Sequence, residues 1–318
     1  MKYRGRLPMP AKSNYQIVSR QKWRLALLAE MWNPNLEREV LARVDAQPWS
    51  KHPQTLAMRW GEVGPGNDFY LKVFHGTGGW SVLKDLFRIS RAFRAWRQGL
   101  ALSAEGFDVP LTIAAGEQRR FRFLRRAFIL TRRLDGQPAH LFLGRLMNQA
   151  RRNLPDLKRR EISRVGGLVR RLHEHGFVHG DLVASNILVV DTGETPLFYF
   201  MDNDRTRRYP FWMPQSLWKR NLIQLNRMPL PGITLQDRMR FFHAYLGSRK
   251  LTISQRRLAR WLEQMTRRRR RECDGVEPSG DFRRLMRWSR EASVSNDAGK
   301  PNKIVASGNS RPNRPITK

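Results

Sequence analysis

Apolar positions change their spacing along the chain, and the changes divide it into segments. Gln21 to Trp32 (QKWRLALLAEMW) sets Trp23, Leu27 and Met31 four residues apart, the spacing of one helix face. This predicts a basic amphipathic helix after an irregular stretch over residues 1–20, packed on its own domain or lying on a membrane. From about residue 37 to 75 come the short runs VLARV, TLAMRW and DFYLKVF, separated by the turn formers Pro48, Gly64, Pro65, Gly66 and Asn67. These read as three strands. A long helix over 82–105 ending at Gly106 follows, then strands near Leu111–Ala115 and Phe123–Thr131.

After Leu134-Asp135-Gly136 the period becomes helical. Glu161 to His175 puts Ile162, Val165, Leu168, Val169 and Leu172 on one face and stops at Gly176, a good C-cap. Short strands are predicted at Asn186–Val190 and Leu197–Met201, and helices at 215–227, 235–247 and 253–270. The pattern describes an α+β fold in two lobes, a small antiparallel β lobe with one helix and a larger helical lobe. The expected segments are a basic N-terminal extension (1–36), a β-rich lobe (37–133), a helical lobe (134–293) and a disordered tail (294–318) rich in Ser, Asn, Pro, Gly and Lys.

Composition narrows the classes. The 318 residues are 40% hydrophobic with ten tryptophans, enough for a sizeable core. A net charge of +33 implies an anionic partner, which leaves nucleic acid, an acidic membrane surface and phosphorylated substrates open. One cysteine, Cys273, excludes an intrachain disulfide. With no recognisable secretory leader and no apolar run long enough to span a bilayer, a reducing cytoplasm is expected.

The segment FVHGDLVASNILVVD (177–191) starts and ends as a buried strand, yet His179, Asp181 and Asn186 interrupt it. A second apolar strand, LFYFM, delivers Asp202; a hairpin turned at Asp191-Thr192-Gly193 would bring it near the first cluster. Upstream, Lys72 lies among apolar residues in FYLKVF, where a solvated lysine is not expected. Phosphoryl transfer needs such a set: a carboxylate for the attacking hydroxyl, an amide and a carboxylate for magnesium, and a lysine for the nucleotide phosphates. Singly, each residue has a plain structural explanation. Together they run in the order of a protein-kinase-like chain.

HGDLVASNILV resembles the catalytic loop of small-molecule kinases, with Gly in place of the Arg of His-Arg-Asp. More narrowly, YLKVF (70–74), SRAFRAWRQGLALSAEGFDVP (90–110), HGDLVASNIL (179–188) and FMDNDRTRR (200–208) resemble the bacterial lipopolysaccharide kinases that phosphorylate Kdo or heptose of the inner core. QLNR (224–227) and RMRFFHAYL (238–246) resemble the helical end of that family. The resemblance implies ATP and Mg2+ as cofactors and a lipopolysaccharide or lipid A-core acceptor. It implies Asp181 as the catalytic base, Asn186 and Asp202 as magnesium ligands and Lys72 on the nucleotide phosphates. Asp204 would assist the metal site or anchor the arginines that follow it, His179 would prop the loop, and LTRRLDG would be the interlobe hinge.

The departures are specific. Ala95 stands where a glutamate should face the strand lysine, and Glu105 lies almost three turns away. No glycine-rich loop precedes Lys72; the turn between the first two strands is expected at PWSKHPQT, where Ser50 and Lys51 are the candidates for phosphate contact. The glycines of HGTGGW follow Lys72 and read as a flexible connection. After Asp202 comes Asn-Asp, and no Ala-Pro-Glu segment follows, which argues against a protein kinase. Arginines gather at 119–126, 132–133, 151–152, 205–208 and 267–271, with aromatics nearby, as in FWMPQSLWKR. Such surfaces suit an anionic acceptor and the inner-membrane surface, and a peripheral place on its inner face is expected. Other small-molecule or atypical, ribosome-assembly-type kinases, and a catalytically weak kinase-like protein binding anionic lipid or RNA, remain the alternatives. No zinc spacing or RNA-binding motif supports the nucleic-acid reading.

Overall fold

The computed structural model describes residues 14–20, 22–59, 68–76, 88–148, 154–193, 195–210, 214–227 and 233–271. The expected tail, the arginines at 151–152, the turn formers at 64–67 and most of HGTGGW and FWMP lie outside the described residues. The first lobe is a six-stranded antiparallel sheet of order β1-β2-β5-β6-β4-β3. Its strands are β1 (Tyr15–Arg20), β2 (Trp23–Leu28), β3 (Gln54–Arg59), β4 (Asp68–His75), β5 (Thr112–Arg120) and β6 (Phe123–Arg132). Helix α1 (Pro34–Asp45) precedes β3, and α2 (Arg91–Ala104) lies between β4 and β5.

Two elements differ in kind from expectation, and the helix expected over 82–105 begins at Arg91 behind a Ser90 cap, with 82–87 outside the described residues. Residues 23–28 form β2, not part of an amphipathic helix. Paired with β1 and β5, this strand is covered on both faces: Leu25, Ala26, Leu27 and Leu28 are all buried. A doubly buried strand loses its alternation, and its apolar run then imitates a helix. Those side chains fill the core, so they offer no membrane-facing stripe. The run VLARV lies in α1, not in a strand. Asn33 caps that helix through Leu36 N at 2.9 Å, and Pro34 occupies its first turn. Leu36, Val40 and Val44, four residues apart, are its buried stripe.

The second lobe holds a short β7 (Gln137–Pro138), α3 (Ala139–Asn148), α4 (Leu154–Glu174), β8 (Phe177–Val178), β9 (Ile187–Val190), β10 (Leu197–Phe200) and β11 (Arg207–Arg208). Helices α5 (Gln215–Arg227), α6 (Leu235–Leu246) and α7 (Ile253–Arg269) complete it, at the places the apolar spacing predicts. Capping boxes at Thr234 and Thr252 start the last two. Each lobe has its own core, and α2 belongs to both. Its Phe93 and Trp96 pack against the sheet, while Leu102 enters the helical lobe beside Phe107 and Phe200. The chain leaving α2 docks on β10 through Phe200 N to Asp108 O at 2.9 Å. The helix therefore ties the sheet to the strand that leads to Asp202.

Candidate active site

The site is built from the loop between β8 and β9. Helix α4 ends at Gly176, which has φ +80° and leaves no room for a Cβ against Tyr209 O. Gly180 has φ +47°, and a Cβ there would lie 2.4 Å from Arg205 O. Glycine in this loop is therefore a steric requirement. Between them, His179 is wholly buried; its Nε2–H donates to Met201 O at 2.8 Å. Burial pushes its pKa below the ordinary value, outweighing the hydrogen bond to Met201 and the charges of Asp181 and Asp202. His179 is thus a neutral strut.

Beneath the loop, α5 supplies a brace. Asn221, fully buried, accepts from His179 N at 3.1 Å and from His173 Nε2 at 3.2 Å on the same Oδ1. Its Nδ2 donates to Gln224 Oε1 at 3.1 Å. Gln224 accepts from Leu182 N at 3.4 Å and donates to Gly180 O at 3.2 Å. One face of one helix thereby holds the backbone on both sides of Asp181. The Asp181 carboxylate has no hydrogen-bond or ion-pair partner among the described residues, which leaves it available to a substrate hydroxyl.

Asn186 closes a 3-10 turn, Ala184–Asn186, and its Nδ2 donates to Asp181 O at 2.9 Å. The oxygen of that amide remains an acceptor. The β9–β10 hairpin, turned at Gly193, pairs Ile187 with Phe200 and bonds Met201 N to Asn186 O at 2.9 Å. Asp202 is next, in the left-handed region at φ 54° and ψ 50°, a conformation that costs a non-glycine residue about 1–3 kcal/mol. Its neighbours impose it: Met201 is held by His179, and Asn203 Nδ2 bonds Phe200 O at 2.9 Å. Lys72 reaches Asp202 from the sheet, Nζ to Oδ1, at 2.6 Å. It stands on an inner strand, between Thr55 of β3 and Ile129 of β6, and is 20% exposed. Lys72, Asp181, Asn186 and Asp202 thus gather at one place between the lobes.

Asp204 does something else. It is buried, and its Oδ2 accepts from Arg91 Nε, in the first turn of α2, at 2.6 Å. Arg91 also covers the Phe74 ring, 4.9 Å from its centroid. Ala95 packs against the core of the sheet lobe and supplies no acid. Glu105 pairs with His175 at 2.9 Å and Arg208 at 2.6 Å, so it serves the far end of the helix and not Lys72. The fastening of α2 to the Asp202 loop by Arg91 was missed in the sequence, where one more arginine in a basic chain carries no signal. Of the Asn221–Gln224 brace only Gln224 lies in QLNR (224–227); Asn221 was missed, and an amide pair three apart on a helix was the available clue.

The segment PWSKHPQT is corrected in one respect: it connects α1 to β3 and is not a hairpin turn, because a helix precedes it. It does lie at the end of the sheet where β4 finishes, with Trp49 Nε1 on Gly76 O at 3.2 Å. Ser50 accepts from His52 N at 3.2 Å, and Lys51 is exposed. No hydrogen bond or ion pair among the described residues joins either to Lys72, Asp181, Asn186 or Asp202.

An antiparallel sheet lobe with two helices, a helical second lobe and an acid meeting a strand lysine between them make this a protein-kinase-like fold. A structure titled WaaP in complex with acyl carrier protein aligns with a TM-score of 0.56 over 76% of this chain and 98% of that one, at 20% identity. The profile of the lipopolysaccharide kinase (Kdo/WaaP) family matches residues 46–245, more than half of the chain, and the chain belongs to that family. It is similar to the 3-deoxy-D-manno-octulosonic acid kinase of Actinobacillus succinogenes, 32% identical over 130 residues, 40% of this chain and 51% of that protein. It is also similar to the enzyme of the same name from Haemophilus influenzae, 29% identical over 156 residues, 46% of this chain and 61% of that protein. These matches span only half to three-fifths of the curated relatives' length.

Proposed function

We propose that this chain transfers the γ-phosphoryl group of ATP to a sugar hydroxyl of the lipopolysaccharide inner core, a hydroxyl of Kdo by the likeness to the two named kinases. The observation that carries the reading is Lys72 closing on Asp202 from the sheet lobe, beside Asp181 and Asn186, in a member of this family. In this reading Asp181 orients the acceptor hydroxyl and takes its proton, a role worth about 10²–10⁴-fold in rate. Lys72 holds nucleotide phosphate oxygens. Asn186 and Asp202 present an amide and a carboxylate oxygen, hard donors of the kind Mg2+ takes beside substrate phosphates. The ion would neutralise phosphate charge when bound. Ser50 and Lys51 contribute phosphate contacts from the connector before β3, and the 130–136 segment is the adenine hinge.

The acceptor is polyanionic, which suits the basic surface. No helix among the described residues is long and apolar enough to cross a membrane, and the proposed place of action is the inner face of the inner membrane. Purified protein with ATP, Mg2+ and deep-rough lipopolysaccharide is expected to label the acceptor, and Asp181→Ala to abolish labelling. Transfer that persists in that variant removes Asp181 from the role of base. Nucleotide binding without transfer would favour the weakly catalytic reading, for which Ala95 in place of an acid is the supporting observation.

A further inference from the structure

A cavity of about 370 Å³ opens on the sheet lobe between the β1–β2 turn, β5 and the approach to α2. Five cations line it, Lys22, Arg24, Arg88, Arg119 and Arg122, against one carboxylate, Glu117. Glu117 is buried and already paired, to Arg24 at 3.5 Å and to Arg119 at 3.3 Å. The Arg119 guanidinium also donates to Arg88 O at 2.8 Å and to Arg122 O at 2.9 Å, which pins both walls. Lys22, Arg88 and Arg122 are exposed and have no carboxylate partner among the described residues. The site has a built frame and a surplus of positive charge at its mouth.

The β5–β6 turn beside it is equally unusual. Its two central residues are Phe121 and Arg122, at φ 50° and 68°, positions that asparagine and glycine normally take. Phe121 is 80% exposed at the tip, and Phe123 and Ile89 are also exposed nearby. Within the fold the Phe121 ring meets the Arg120 guanidinium, 5.5 Å from its centroid, a weak contact at an exposed site and too little to offset the strain of the turn. Local rules are broken in this way mainly where a partner compensates.

We propose that this corner docks on an anionic bilayer, with a phosphomonoester headgroup in the pocket and Phe121 entering the interfacial layer. Guanidinium groups match phosphate oxygens bidentately, and an exposed aromatic flanked by arginines suits the boundary between headgroups and acyl chains. A soluble phosphate would use the pocket but have no use for the aromatic tip, and this favours the membrane source. The pocket's lining includes none of Lys72, Asp181, Asn186 and Asp202, and docking there does not depend on the reaction assigned to them.

The test is flotation of the full chain with phosphatidylcholine vesicles carrying phosphatidic acid as one lipid in five. Arg88→Glu with Arg122→Glu is expected to weaken binding at least about tenfold, and Phe121→Ser about three- to tenfold. Arg256→Glu with Arg257→Glu, the same charge change on exposed α7 positions, is expected to stay within about twofold. Thermal unfolding of every variant checks that the fold is kept. Equal loss in the α7 control, or unchanged binding in the pocket variant, overturns the proposal in favour of diffuse charge. Inorganic phosphate that binds the pocket while Phe121→Ser floats like the parent assigns the site to a free anion and overturns the membrane docking.

Discussion

Two ion pairs cross from the sheet lobe to the same short loop, and they are built differently. Lys72–Asp202 and Arg91–Asp204 are both 2.6 Å long, and their acids are two residues apart. Asp202 is 49% exposed, whereas Asp204 is 6% exposed. An accessible carboxylate can exchange its lysine for a metal ion and phosphate without leaving a buried charge behind. A buried one cannot, because losing its arginine would strand it without solvent. Burial therefore separates two chemically identical side chains into an accessible acid, suited to the metal role proposed for it, and a fastening. The fastening also bears on Ala95. With no acid on α2 for Lys72, the helix is registered on the site from its first turn by Arg91.

That comparison can be broken by substitution. The largest effect is expected for Asp202→Ala: at least about 10³-fold lower phosphoryl transfer, near 4 kcal/mol of barrier, with little change in the melting temperature. A large drop in melting temperature would mean that Asp202 is structural as well. Next is acid sensitivity in the brace below the loop. Burial pushes His173 down to about 4, with the Asn221 hydrogen bond opposing, and it pushes His179 down too. These rings are neutral when folded, while the unfolded chain takes up their protons near pH 6.5. Stability is thus complete above pH 6.5 and lost as pH falls toward 4, by roughly 3 kcal/mol from His173 alone. Denaturant unfolding across that range measures it, and a flat profile contradicts the assignment.

Asn221→Ala strands the His179 amide and leaves His173 and Gln224 each short of one partner. It is expected to cost about 2–3 kcal/mol and to lower turnover by loosening the Asp181 loop. Asp204→Asn is expected to cost on the order of 2 kcal/mol, read as a melting-temperature drop of about 4–8 °C, with a smaller activity loss than Asp202→Ala. If Asp204→Asn instead matched Asp202→Ala in activity while keeping the melting temperature, both acids would be working groups and the distinction would fail.

Much of this arrangement was legible in the chain. The helices of the second lobe follow their apolar period because each has one exposed and one buried face. His179, Asp181, Asn186 and Asp202 interrupt apolar strands, and polar breaks in buried runs stand out. Lys72 was visible for the same reason. The reading failed at 23–28, where a strand enclosed on both sides loses its period, and at 34–45, where the five-residue run VLARV by itself reads as a strand and the Asn33-Pro34 cap before it was missed. Arg91 and Asn221 were not visible, since nothing local distinguishes a long-range partner from a surface residue.

Local order alone determined the kinds of groups proposed to carry the chemistry and their sequence along the chain, because turn formers, caps and strand interruptions act over a few residues. Tertiary structure decided which acid stays accessible and which is buried as a fastening, where the first hairpin joins the sheet, and how five scattered cations come to face one cavity. Each of these depends on burial and on contacts tens of residues apart, and neither is a property of any short segment.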